Sequence, residues 1–264
     1  MPFLTAPDGV RLKYSLEGDG PPLLLHLGAG CDSELWRAAG YLEPLSKTHQ
    51  CILFDHRGHG ESDHPRGPGA YHIDRYEADV VALLDHLGLE TTSFWGYSNG
   101  IYTGIKVAER HPDRLKALIG SGAFGEWTAE KLVEARARVP SRTTEHREHG
   151  WEKLLADFDE EEPEPVPDWM KERIRATDVQ QFIDWFQAYP DWGWSPWRAL
   201  PAVGCPTLFL VGEFEDEEDD MAKAASLMPK GTRYRIPGHG HINAFIKSDL
   251  VLPQVTAFLA EYAA

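Results

Sequence analysis

The sequence predicts a three-layer α/β fold, a mostly parallel sheet covered by helices on both faces, and two observations carry that expectation. Short continuous apolar runs alternate with amphipathic helical patterns through most of the chain, as in a sheet built from strand–helix–strand units. Residues 124–198 break the rhythm with helical patterns alone, which is how an insertion between two strands reads.

Residues 2–6 and 10–16 flank the turn tripeptide Pro7-Asp8-Gly9 and form an N-terminal hairpin. The runs 23–27, 51–54, 92–95, 115–119, 207–211 and 232–236 are rich in Leu, Ile, Val and aromatics, and suit strands buried on both faces. Crossover helices are expected at about 34–46 and at about 74–87, where Val80, Val81, Leu83, Leu84 and Leu87 form an apolar stripe. Another starts just past Ser98 and ends near 110 at His111-Pro112, and two more occupy about 219–228 and about 248–262.

The insertion carries helical patterns near 128–138, 144–157, 167–176 and 178–188, and seven of the nine tryptophans. Most of these (Trp127, Trp151, Trp169, Trp185, Trp192, Trp194, Trp197) are expected to pack as the insertion's own core, with one or two facing a cleft. The acidic tract 159–167 reads as a solvated loop. The chain thus divides into a core, 1–123 and 199–264, and a helical cap, 124–198, over the carboxyl edge of the strands, where such folds place their sites.

With 264 residues, 42% hydrophobic, the chain can bury one sizeable core. A net charge of -16 repels phosphate backbones and anionic lipid, which argues against nucleic-acid and membrane-surface partners and for a small-molecule substrate. Cys31, Cys51 and Cys205 are too few and too scattered for a disulfide framework and read as reduced thiols. The first residues show no signal-peptide pattern, and no apolar run approaches the roughly 18 residues of a membrane span, so a cytoplasmic protein is expected.

Chemistry concentrates at three places. Gly96-Tyr97-Ser98-Asn99-Gly100 lies between a buried strand and a helix, where a sharp turn would project the Ser98 hydroxyl from the sheet edge. A serine hydroxyl needs a base, and Gly238-His239-Gly240-His241 follows the last strand; either histidine serves this purpose. The imidazole needs a carboxylate, and Glu215 or Asp216 follows the strand at 207–211. Backbone donors for an oxyanion would come from Asn99 and from the loop Gly28-Ala29-Gly30. His146 and His149 share a helix face but lack a third ligand, and the His239/His241 pair lacks a partnering carboxylate or Cys motif, so no metal or other cofactor is expected. The remaining histidines read as solvated.

These parts, in the order serine, acid, histidine, resemble the α/β-hydrolase superfamily over nearly the whole chain. Asp55-His56-Arg57-Gly58-His59-Gly60-Glu61-Ser62 resembles that family's structural D-x-R-G-x-G-x-S turn. His111-Pro112-Asp113-Arg114-Leu115 resembles its usual join after the nucleophile helix, and Ile236-Pro237-Gly238-His239-Gly240-His241 its I-P-G-x-G-H. The resemblance implies an α/β-hydrolase fold with a cap between strands six and seven, Ser98 as nucleophile and His241 rather than His239 as base. Registering on Gly28 and Trp36 puts the first oxyanion donor at Ala29, whereas counting from the displaced His26 puts it at Gly28. The usual Gly-x-x-Asp reads Gly212-Glu213-Phe214-Glu215, which favours Glu215 over Asp216, and Asn99 and Ile101 replace the usual Met and Gly after the serine.

The expected activity is hydrolysis of a small to medium carboxylic ester or lactone through an acyl-enzyme. Carbon–carbon bond hydrolysis, thioester hydrolysis, perhydrolysis and lyase chemistry share the same triad. A receptor that keeps the triad as a pocket is the reading from a different class.

Overall fold

The computed structural model describes residues 2–122, 125, 128–215 and 218–262, apart from the side chain of Glu161. The first half runs β1 (Phe3–Thr5), β2 (Arg11–Glu17), β3 (Pro22–His26), α1 (Leu35–Ala38), α2 (Leu42–Leu45), β4 (Gln50–Phe54), α3 (Ile73–His86), β5 (Thr92–Tyr97), α4 (Gly100–Arg110) and β6 (Leu115–Ser121). Five helices follow: α5 (Ala129–His149), α6 (Glu152–Glu161), α7 (Asp168–Arg175), α8 (Val179–Ala188) and α9 (Pro196–Ala199). The chain then completes the sheet with β7 (Thr207–Gly212), α10 (Glu218–Leu227), β8 (Gly231–Ile236), α11 (His241–Ile246) and α12 (Ser248–Tyr262).

The eight strands form one sheet in the order β1-β2-β4-β3-β5-β6-β7-β8. β2 pairs antiparallel with β1 and β4, and every other pairing is parallel. Alternate side chains of one strand enter opposite layers. Leu24, Phe94, Leu118 and Phe209 pack towards α3 and α4, whereas Leu25, Trp95, Ile119 and Leu210 pack towards α1, α2, α11 and α12. Both faces of β5 and β7 are buried, as their unbroken apolar runs require. β8 departs from that expectation: it is an edge strand, and Thr232, Arg233 and Arg235 are exposed.

Two helix boundaries also differ. The single helix expected over 34–46 is two short ones, because Gly40 takes φ +84° and ends α1. Conversely, 128–138 joins the following segment as one helix, α5, that runs through Pro140 and stops at Gly150, φ +60°. Proline removes one backbone donor there, but the flanking turns stay helical; the left-handed glycine is the stronger stop signal.

Arg57 ties the 55–62 turn to the rest of the fold. It donates to both Asp79 oxygens at 2.7 Å, to Asp8 and to the carbonyl of Ala70. Asp55 accepts from the N–H groups of Ser33 and Glu61. These bonds hold the segment after β4 beside the loop after β3, which is a structural role, as the resemblance implies.

Candidate active site

β5 is buried along its length and delivers Ser98 at its end. Ser98 has φ +53°, the one non-glycine residue in the left-handed region among the described residues. Such a conformation costs on the order of 1–3 kcal/mol and persists only where the surroundings impose it. Here the Ser98 N–H donates to the Ser121 carbonyl at 2.7 Å, and its own carbonyl accepts from the Ile101 N–H at 3.0 Å, which opens α4.

The glycines around Ser98 are required by contact. A Cβ on Gly96 would lie 2.5 Å from the Gly100 carbonyl, and one on Gly100 would lie 2.5 Å from the His26 carbonyl oxygen. Gly28 is a third: its Cβ would lie 2.6 Å from the Ser98 Cβ. The loop after β3 therefore crosses directly over the serine, a close approach that a tight-turn reading of Gly28 does not capture.

Above this turn opens a cavity of about 700 Å³, with Ala29, Ser98, Asn99, Glu215 and His241 in its lining. Ala29 lines the cavity, whereas Gly28 packs against Ser98 without lining it. The N–H groups of Ala29 and Asn99 donate to no other group among the described residues, and Gly30 next door donates to His59 Nε2 at 3.3 Å.

Glu215 sits in the turn after β7 with its carboxylate buried. One oxygen accepts from the Gly212 N–H at 2.7 Å, and the other lies 3.0 Å from His241 Nδ1. The longer glutamate thus bends back onto the end of its own strand and still reaches the histidine. Asp216, the alternative acid, lies outside the described residues.

His241 opens α11. Its ring stacks on Tyr97 at 5.1 Å and nearly parallel to Phe158 of α6 at 6.2 Å, and the Tyr97 hydroxyl donates to the His241 carbonyl. A Cβ on Gly122 would meet the His241 ring at 2.6 Å, so a glycine is needed there too. His239 lies outside the cavity lining.

One residue escaped the sequence reading. Glu162, in the acidic tract expected to be solvated, is buried. Its carboxylate accepts from the N–H groups of Gly240, Ile242 and Asn243 at 3.0, 2.6 and 3.1 Å, bracketing His241, while the Asn243 side chain donates to the Glu164 carbonyl. The tract is a clasp between the insertion and the histidine loop. Composition pointed to solvent; the only local signal was that the prolines at 163, 165 and 167 stiffen the segment.

The histidines also need correction. His26, His56 and His59 are buried and stack in series, at 4.6 and 3.7 Å between ring centres. Burial pushes His26 down to about 4 and His59 down to about 3. His146 is buried as well, 3.1 Å from the Gly150 carbonyl and edge-on to Phe182, whereas His149 is exposed. The three cysteines are free thiols, and burial pushes Cys31, at the cavity wall, up to about 12, far from a nucleophile's range.

Of the insertion tryptophans, Trp151, Trp185, Trp192 and Trp197 are buried, and Trp151 and Trp185 also line the cavity. Trp169 is exposed, and Trp127 lies outside the described residues. Among the described residues no group of three or more His, Cys, Asp or Glu side chains is arranged to hold a metal ion. No described helix is long and apolar enough to cross a membrane.

Residues 21–248 match the family described as alpha/beta hydrolase fold. The chain belongs to the α/β-hydrolase family. A non-heme haloperoxidase of Rhodococcus erythropolis is 35% identical over 98% of this chain and 99% of its own length. A 3-oxoadipate enol-lactonase of Acinetobacter baylyi is 37% identical over 51% of this chain, and that match spans only 47% of the lactonase. Among solved structures, this α/β-hydrolase superposes on an enol-lactonase from Burkholderia xenovorans at a TM-score of 0.79, with 23% identity over 98% of this chain and all of that one. A thermophilic esterase from Thermogutta terrifontis superposes at 0.83, with 23% identity over 100% and 99% of the two chains. At those identities the superpositions speak to the fold alone.

Proposed function

We propose that this α/β-hydrolase cleaves a carboxylic ester or lactone through an acyl-enzyme formed on Ser98. The observation that carries the reading is the convergence of the strained Ser98 turn and the Glu215–His241 pair on one cavity. In this reading His241 Nε2 takes the serine proton as Oγ attacks the carbonyl, then returns it to the leaving oxygen. Glu215 fixes the ring through Nδ1 and stabilises the imidazolium, and the Ala29 and Asn99 N–H groups receive the oxyanion. Water, activated by the same histidine, then releases the acid. The insertion, residues 124–198, acts as a cap that walls the cavity over the 1–123 and 199–264 core.

A serine at the elbow argues against the aspartate-nucleophile chemistry of dehalogenases and epoxide hydrolases, although proteins with those names are among the relatives and fold neighbours. Perhydrolysis, in which hydrogen peroxide replaces water as the acyl acceptor, is the second reading, favoured by the full-length likeness to a haloperoxidase.

A fluorophosphonate probe should label Ser98 covalently, and Ser98→Ala should abolish labelling together with short-chain p-nitrophenyl ester turnover. Ester turnover that survives in Ser98→Ala would overturn the acyl-enzyme. Peracid release with peroxide and an ester donor, at a rate above hydrolysis, would move the assignment to the second reading.

A further inference from the structure

The walls of the cavity differ in chemistry. α6 and α8 contribute an aromatic and aliphatic surface that includes Trp151, Phe158, Phe182 and Trp185. α5 contributes Lys131, Arg138 and Arg142, which sit at intervals of seven and four residues and so share one face of the helix.

Arg138 and Arg142 lie about one helical turn apart on α5 and line the same cavity as Tyr189. Tyr189, also in the lining, is pushed up in pKa by burial, and the nearby charges of Arg138 and Arg142 oppose that shift. Both arginines meet carboxylates at long range: Arg142 lies 3.4 Å from Asp157, and Arg138 lies 3.7 Å from Glu134 on its own helix. Lys131 lies 3.4 Å from Asp220 in the same way. By contrast Arg136, which faces away from the cavity, meets Asp191 at 2.8 Å. With Glu134 also in the lining, α5 presents three cations and one acid to the cavity, a local excess of positive charge in a chain of net charge -16.

We infer that the Arg138–Arg142–Tyr189 corner receives a carboxylate of the substrate, so that the enzyme takes esters or lactones bearing a free carboxylate joined to the scissile bond through an apolar or aromatic segment. This rests on the cavity being the substrate site, as proposed above. The guanidinium forks suit a planar carboxylate, and the aromatic walls of α6 and α8 cover the apolar segment. Because Arg138 is about two-thirds exposed, the gain is expected to be modest, about tenfold in affinity for a charged over a neutral ligand.

Binding tests this without turnover. Phenylbutyrate and its neutral amide, phenylbutyramide, are titrated into the Ser98→Ala protein and followed by tryptophan fluorescence. The acid should bind about tenfold more tightly than the amide, and the ratio should fall towards one in the Arg138→Gln/Arg142→Gln protein. Arg138→Gln alone, at an exposed position, serves if the double variant folds poorly, and should lower the ratio part-way. Equal affinity for acid and amide, a ratio that both variants leave unchanged, or no binding of either compound overturns the inference. The fluorophosphonate experiment judges Ser98 separately, so failure of the anion corner and failure of the hydrolase reading are told apart.

Discussion

Ser98 and Glu215 are residues whose backbone and side chain each answer to a different demand. The elbow needs glycine at 96 and 100 because other backbone lies 2.5 Å from where their Cβ atoms would be, so its spacing could be read from sequence as chemistry before any geometry was known. Gly28 makes the same demand from a distant loop, and a demand between loops leaves no local pattern. Glu215 was one of two adjacent acids, and its carboxylate spans from the Gly212 N–H to His241 Nδ1. Glu215→Gln keeps the shape but loses the charge that orients the imidazole, and kcat should fall by about 10³–10⁴-fold. Asp216→Asn should change kcat little. Paired ester assays on the two variants check this, and equal losses would remove Glu215 as the orienting acid.

At the scale of elements, strand and helix types followed hydrophobic period closely, and the errors fell where one residue's backbone outranked the pattern. Gly40 split a helix, Gly150 ended one, and Pro140 failed to end one. The larger miss was the tract at the end of α6, because a glutamate among four other acids and three prolines looks like surface until its backbone partners are in place. Those partners are the N–H groups on either side of His241. Removing the carboxylate in Glu162→Ala would leave three buried donors without an acceptor, at a cost of about 2–4 kcal/mol. The melting temperature should drop, and kcat should drop with it, since α11 carries His241, the proposed base. Thermal melts and ester kinetics on the same preparation test both effects; a variant that keeps both would mean that the clasp bears no weight.

For the whole molecule, the stacked histidines beneath the loop after β3 set the response to acid. His26 and His59 have folded-state pKa values near 4 and 3, below the usual value of about 6.5 for a solvated histidine. Above about pH 6.5 both are neutral in either state and contribute no pH dependence. As pH falls below that point the unfolded chain takes up protons that the folded chain refuses, so stability falls by about 1.4 kcal/mol per pH unit for each histidine until the folded pKa is reached. Denaturant melts between pH 7 and 4 should show this slope, and His26→Gln should make it shallower. A flat profile would mean that these rings are protonated inside the fold. Charge and composition disclosed the acidic exterior, but not this buried basic stack, because three histidines spread over two segments meet only when β3 and β4 pair.

The Glu162 clasp also constrains how this enzyme can be re-engineered. It grips main-chain amides, so its hold does not depend on the side chain at 242, whereas a Cβ at Gly240 would lie 2.7 Å from the carboxylate and the Asn243 side chain adds its own bond to the Glu164 carbonyl. A chimera that replaces residues 124–198 with another hydrolase's segment would therefore have to bring an acid to the same spot, or it would unseat the His241 imidazole while Ser98, Glu215 and His241 all remained in the sequence.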